Sequence, residues 1–161
     1  MDLKKLNQII KSAENICARD GVRFTTKRRD IFNIVLHERK ALSAYEIAEK
    51  LRQTSKTSAP AMSVYRILEF LEQRKLVHKI ASVNKYAICA HITCNHEHDM
   101  PRLAVCSNCL KVEELASNTP IKQELLASLD AIDFQLQSQQ LELIGLCSNC
   151  RRNPHKPKGG C

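Results

Sequence analysis

The stretch PAMSVYRILEFLEQRKLVHKIASVNKYAIC, Pro60–Cys89, decides how the front of the chain folds. Val64, Ile67, Leu68 and Leu71 recur at intervals of three and four, which predicts one inward helical face from about Pro60 to Gln73. Pro60 suits the first turn, where its missing N–H has no partner to lose. The other face offers Ser63, Tyr65, Arg66 and Glu69 to solvent. LVHKI and KYAIC then read as short strands around ASVN, which supplies a turn and so a hairpin. A helix followed by such a hairpin is the second half of a winged helix-turn-helix, whose recognition helix enters the major groove.

The upstream pattern supplies the first half. Leu3, Leu6, Ile9, Ile10, Ala13, Ile16 and Cys17 predict an amphipathic helix stopped by Gly21. Thr25 or Thr26 can cap a second helix carrying Ile31, Phe32, Ile34 and Val35. SAYE, Ser43–Glu46, is a capping box before a third helix that buries Ile47, Ala48 and Leu51. Downstream, ITCNHEHDMPR has little periodicity and reads as a hinge. LAVC and KVEEL follow as strands, Thr119 and Pro120 open a helix carrying Ile121, Leu125, Leu126 and Leu129, and FQLQSQQLELIGL is a third strand region. The expected fold class is therefore α+β: a winged helix-turn-helix over residues 1–89, a hinge over 90–102, a small α/β lobe over 103–152 and a flexible tail over 153–161. The second lobe is too small to be comfortable alone, and dimerisation through its sheet would relieve this.

Charge separates the halves in the same way. Residues 1–80 hold 17 basic and 9 acidic side chains and carry the whole formal +8, whereas residues 81–161 hold 8 of each. A basic front half suits a partner made of phosphate, namely double-stranded DNA. No window approaches the ~18 apolar residues of a membrane span, and the N-terminus lacks an apolar signal core, so a cytoplasmic protein is expected, without membrane partners.

Eight cysteines in a reducing compartment should be free thiols or metal ligands rather than disulfides. Two pairs, Cys106–Cys109 and Cys147–Cys150, each have Cys-x-x-Cys spacing, and together they can make a tetrahedral sulfur cage for zinc. Four protein ligands leave no open position, so such a zinc is structural. A second group is scattered over both lobes: His78, Cys89, Cys94, His96, His98, Asp99 and Glu114. A mixed thiolate, imidazole and carboxylate set suits zinc better than iron or manganese. A hydrolase or deaminase would need an open position and an H-x-E…P-C-x-x-C order, which is absent; HEHD also lacks the spacing of H-E-x-x-H. An enzyme is not expected.

The order of winged helix, SVYRILEFLEQRKLVHKI, KYAIC, a His-x-His-Asp hinge, CSNCLKVEE and GLCSNC resembles the ferric uptake regulator (Fur) family over residues 1–152. His78 and Cys89 look most like its zinc uptake regulator branch. The resemblance implies a homodimeric zinc-responsive repressor, with one structural zinc and at least one regulatory zinc per subunit. It would bind an AT-rich inverted-repeat operator near zinc-uptake genes. An iron- or peroxide-responsive regulator of the same family is the alternative, against which Cys89 argues. Carried over by motif, the regulatory ligands would be His78, Cys89, Glu114 and a hinge histidine, His98 with His96 as the alternative. Tyr45, Ser63, Tyr65 and Arg66 would meet DNA. Relatives often carry a histidine after the C-terminal helix, where this chain has QLQSQQ, so a further metal site is not expected there. Cys17 is read as core and Cys161 as a free terminal thiol.

Overall fold

The computed structural model describes residues 3–38, 40–54, 59–93, 100–116, 119–138 and 140–153; Cys94, His96, His98, Asp99, His155 and Cys161 lie outside these. Four helices come first: α1 (Leu3–Arg19), α2 (Thr26–His37), α3 (Ala44–Thr54) and α4 (Ala61–Gln73). The wing follows as β1 (Val77–Ile80) and β2 (Lys85–Ile88). Then come β3 (Arg102–Cys106), β4 (Val112–Leu115), α5 (Thr119–Asp130), β5 (Leu141–Gly145) and the short α6 (Ser148–Arg152).

Local chemistry sets the helix ends. Gly21 takes φ 69° just past α1, while Val22 N–H donates to the Cys17 carbonyl and Gly21 N–H to that of Ala18. This is a Schellman stop, and the left-handed residue in it is a glycine because a Cβ there is strained. Thr25 caps α2, its hydroxyl accepting from Arg28 N–H at 3.5 Å. Pro60 stands one position before α4, as its N-cap residue without a side-chain bond, rather than inside the first turn.

Ile31, Phe32, Ile47, Leu51, Val64, Leu68, Leu71 and Leu76 are fully buried together, so α1–α4 close on one core, with the wing packed against it through Val77 and Tyr86. Burial of each aliphatic side chain contributes roughly 1.5–3 kcal/mol. Cys17 belongs to this core, and burial pushes its thiol up. The wing gains a third, one-residue strand: Leu42 and Tyr86 exchange backbone hydrogen bonds at 2.9 and 2.7 Å. The predicted turn ASVN is a short 3₁₀ turn, Ala81–Val83, closed by Asn84 in the left-handed region.

The second sheet has the order β4-β3-β5, with β3 antiparallel to β4 and parallel to β5, and α5 lies in the crossover. Beyond the cysteines, only Leu103 and Val105 of this sheet are buried. No described side chain of α5 is buried, although its apolar spacing predicted an inward face. The strand expected across FQLQSQQLELIGL is confined to Leu141–Gly145. Gln140, just before it, is turned to the wing, its amide donating to the Lys79 carbonyl at 2.6 Å.

The two halves touch. Ala41, Ile80 and Ala87 share an apolar cluster with Leu103 and Val105. Glu142 accepts from the backbone N–H groups of Ala81 at 2.7 Å and Ser82 at 3.0 Å.

The Ser43 capping box also reaches the wing. Ser43 N–H donates to Glu46 Oε2 at 2.7 Å, Glu46 N–H donates to Ser43 Oγ at 3.2 Å, and Lys85 Nζ approaches the same carboxylate oxygen at 2.5 Å. Burial pushes the Glu46 carboxyl up, but hydrogen bonds from Lys85 and Ser43 outweigh it and hold it at about 2, against an ordinary 4.5. Because the folded value is depressed, the stabilisation is complete above the unfolded value and fades as pH falls from 4.5 toward about 2. Glu46→Ala is therefore expected to lower stability by about 1 kcal/mol at neutral pH, less at high salt. Urea titrations of both proteins down the pH scale should show the difference shrinking across that window.

Candidate metal centres and nucleic-acid face

Cys106 ends β3 and Cys109 sits in the turn that leads to β4; Cys147 follows β5 and caps α6, which carries Cys150. One ligand atom from each lies within 4.8 Å of all the others. Cys109 Sγ and Cys147 Sγ are 3.8 Å apart. Four thiolates at 2.3 Å from a tetrahedral centre stand about 3.8 Å from one another, so the spacing fits zinc and is far too long for a disulfide. Cys147 N–H points at Cys106 Sγ at 3.4 Å and Cys150 N–H at Cys147 Sγ at 3.5 Å. Burial alone would raise the Cys106 thiol, but backbone N–H groups of Cys109, Cys147 and Asn108 outweigh it and bring it from 9.0 to about 6. The backbone there thus favours the Cys106 thiolate, the form that ligates.

The second group assembles where the wing meets the second sheet. His78 projects from β1, Cys89 follows β2 directly, and Glu114 projects from β4, opposite Leu103. Their donor atoms also lie within 4.8 Å of one another. His78 Nε2 is 3.1 Å and Cys89 Sγ 3.7 Å from Glu114 Oε2. Nitrogen, sulfur and oxygen ligands around a tetrahedral zinc stand roughly 3.3–3.6 Å apart, so these residues fit that ion as three of its four ligands. The Glu114 side chain is only 4% exposed. Burial pushes its carboxyl up, yet His78, His91 and the Ala90 N–H outweigh this and hold it at about 2, so it stands ready as an anion. His78 and Cys89 also line a crevice of about 830 Å³ between the halves, beside Met100 and Pro101.

Sequence reading missed His91, whose Nδ1 lies 3.0 Å from Glu114 Oε1. Its signal was present: Cys89-Ala-His91 places a second metal-capable side chain two positions past the thiol. The expected hinge ligands His96 and His98 lie outside the described residues.

On α4, Arg66 and Met62 are exposed, and Ser63 and Tyr65 are half-buried. Tyr45, 68% exposed at the start of α3, packs edge-on against Tyr65 with ring centroids 6.2 Å apart. The ring contact joins α3 to α4 at Tyr45 and Tyr65.

The family model for the ferric uptake regulator family matches residues 19–144. The "Zinc uptake regulation protein" of Escherichia coli (strain K12) is 30% identical over 155 residues, covering 93% of this chain and 85% of that protein. A solved structure described as "Zinc Uptake Regulator Complexed With Zinc AND DNA" superposes with a TM-score of 0.79 at 27% identity, covering 93% of this chain and 97% of that one. Holo XcZur superposes with a TM-score of 0.73 at 31% identity over 91% of this chain and 99% of that one; its apo structure gives 0.51 at 30% identity over 90% and 97%.

The two metal groups make distinct expectations. Cys106→Ser or Cys147→Ser should lose one zinc per chain and unfold or monomerise the C-terminal half, because the cage couples metal to folding. Cys89→Ser should keep that zinc and the folded assembly. Zinc content by elemental analysis with sedimentation of each variant checks both, and equal damage in the two would merge the sites into one.

Proposed function

The chain belongs to the ferric uptake regulator family, and on that premise we propose that it is a zinc-responsive transcriptional repressor, binding operator DNA as a homodimer and controlling zinc uptake in the cytoplasm. In this reading residues 1–89 read DNA, 90–102 are the hinge, 103–152 the dimer lobe and 153–161 a tail. The observation that carries it is the His78, Cys89 and Glu114 group, because its donors come from both halves and include a thiolate.

When bound there, zinc supplies a redox-inert cation that cross-links ligands of both halves. His78 and Cys89 would bring the wing to the site, and Glu114 the second sheet. His98, with His96 as alternative, is our fourth ligand; Met100, two residues past His98, lines the same crevice as His78 and Cys89, which supports delivery from the hinge side. The cage of Cys106, Cys109, Cys147 and Cys150 would hold a separate structural zinc. The arrangement of the halves also supports a metal-loaded form, since similarity falls from 0.73 against holo XcZur to 0.51 against its apo form.

The dimer has a physical source in one chain's unpartnered apolar surface. Ile121 and Leu126 of α5, Leu143 and Ile144 of β5, and Phe134 are 40–61% exposed, and a second copy can cover them by two-fold symmetry. Moving a population from 1:99 to 99:1 needs ~10⁴-fold differential affinity, about 5.5 kcal/mol, within the range of coordination bonds made in one state only. Linkage requires that DNA in turn tighten the regulatory zinc.

Gel-shift on a candidate AT-rich inverted repeat, with zinc, iron and manganese titrated separately, tests the reading. Binding should follow zinc and vanish in Cys89→Ser; activation by iron alone would overturn the zinc assignment.

Arg66 is assigned to a base and Tyr45 to the groove edge beside it. An exposed guanidinium on α4 can donate two parallel hydrogen bonds to guanine, worth about 1–3 kcal/mol of discrimination. Arg66→Ala should then weaken the operator far more than random DNA and relax preference at one position per half-site. Uniform weakening with a shallower salt dependence would reassign Arg66 to phosphate.

A further inference from the structure

Glu114 is gripped at both oxygens. Oε2 faces His78 Nε2 at 3.1 Å and Cys89 Sγ at 3.7 Å, and accepts from Ala90 N–H at 3.1 Å. The second oxygen, Oε1, has His91 Nδ1 3.0 Å from it, on an approach bent from a straight hydrogen bond. The cluster whose donors all lie within 4.8 Å of one another comprises His78, Cys89 and Glu114, without His91. The imidazole therefore stands outside that group of three while contacting the other carboxylate oxygen. One residue, Ala90, separates it from the thiol, so a single turn of chain sets the ligand and this contact together.

We infer that His91 is a positioning residue of the regulatory site: it occupies Glu114 Oε1, leaves Oε2 as the one ligand oxygen, and so sets both zinc affinity and preference. The inference rests on the zinc-sensing reading of that site. A carboxylate with both oxygens free can chelate through both, raising the coordination number toward the five or six that suit larger, oxygen-preferring cations. Held at one oxygen, it contributes a single bond and keeps the four-coordinate geometry zinc prefers. Hydrogen-bonded partners behind ligands commonly govern affinity in this way.

The test uses the full-length dimer with its cage zinc retained. The second zinc is titrated against a chromophoric chelator, and cobalt(II) loaded in its place reports coordination number through the intensity of its d–d absorption. His91→Ala should weaken the second zinc about 10–100-fold and dim the cobalt bands as the carboxylate turns to chelate. His91→Asn, whose side-chain amide can donate from nearly the position of Nδ1, should restore most of the affinity and the intense bands. If His91→Ala binds as the wild type does, His91 has no such role. If both variants are equally weak, His91 ligates directly, and the positioning assignment is overturned. A wild-type dimer that takes up no zinc beyond the cage, with Cys89→Ser indistinguishable from it, would instead remove the regulatory site, and the inference with it.

Discussion

Four thiol groups gathered within 4.8 Å of one another are the constraint on which the C-terminal half depends. Its sheet buries Leu103 and Val105 and little else that is apolar, and α5 contributes no buried described side chain. Two aliphatic residues at roughly 1.5–3 kcal/mol each do not offset the conformational entropy of some fifty residues. A filled four-thiolate cage is of another magnitude, about 10–16 kcal/mol in small zinc domains. Its placement matters as much. Cys106 pairs with Gly145 at the end of the parallel β3–β5 ladder, so the cage clamps the sheet where both strands finish. The same turn launches β4, and β4 carries Glu114 to the wing. A structural metal in the cage would thereby position a ligand of the regulatory one.

The contact between the halves is built to be adjustable. Its buried apolar part is Ala41, Ala87, Ile80, Leu103 and Val105, two of them alanines, with Val83 and Val112 packed against them, a modest area for docking two lobes. Its polar part includes Glu142, which accepts from two backbone N–H groups of the wing turn, Gln140 beside it, the Ala41 N–H donating to the Leu110 carbonyl at 2.8 Å, and the Ala90 N–H donating to Glu114. Contacts of this size can favour one arrangement without locking it, so a cross-link through His78, Cys89 and Glu114 can shift the balance. A large interlobe core would have left the metal nothing to decide.

Much of this was legible in the sequence where one residue type has one chemistry. The Cys-x-x-Cys pairs, the capping box from Ser43 to Glu46 and Gly21 each act locally, and each stands where its spacing placed it. His78, Cys89 and Glu114 are far apart in the chain, and it was the family order of motifs that brought them together. His91 escaped because its neighbour Cys89 already accounted for that segment, and its partner, Glu114, is supplied by another strand. The overextended strand before Leu141 has a comparable cause. Alternation of apolar residues in FQLQSQQ satisfies a strand pattern, but Gln140 is used by the wing and the ladder begins only where β3 offers a partner. The outward face of α5 is the reverse case: its apolar periodicity is real, but in the single chain Ile121 and Leu126 stay exposed.

Recognition and sensing become one problem once two copies are considered. A two-fold dimer presents two α4 helices to DNA, and their separation must match half-sites about 34–36 Å apart or a multiple of that. Neither helix can adjust alone, because α4 is fixed within a well-filled core through Val64, Leu68 and Leu71. The freedom that remains lies at the junction of the halves, where His78, Cys89 and Glu114 converge. If Arg66 reads a base as proposed, a displacement of about one base step, 3.4 Å, would misplace it in one or both half-sites. On the proposed function, the rigidity of the winged lobe would make the junction an effective switch: strain is not absorbed within the reading head, so a modest change in the angle between halves would pass to the spacing of the two helices.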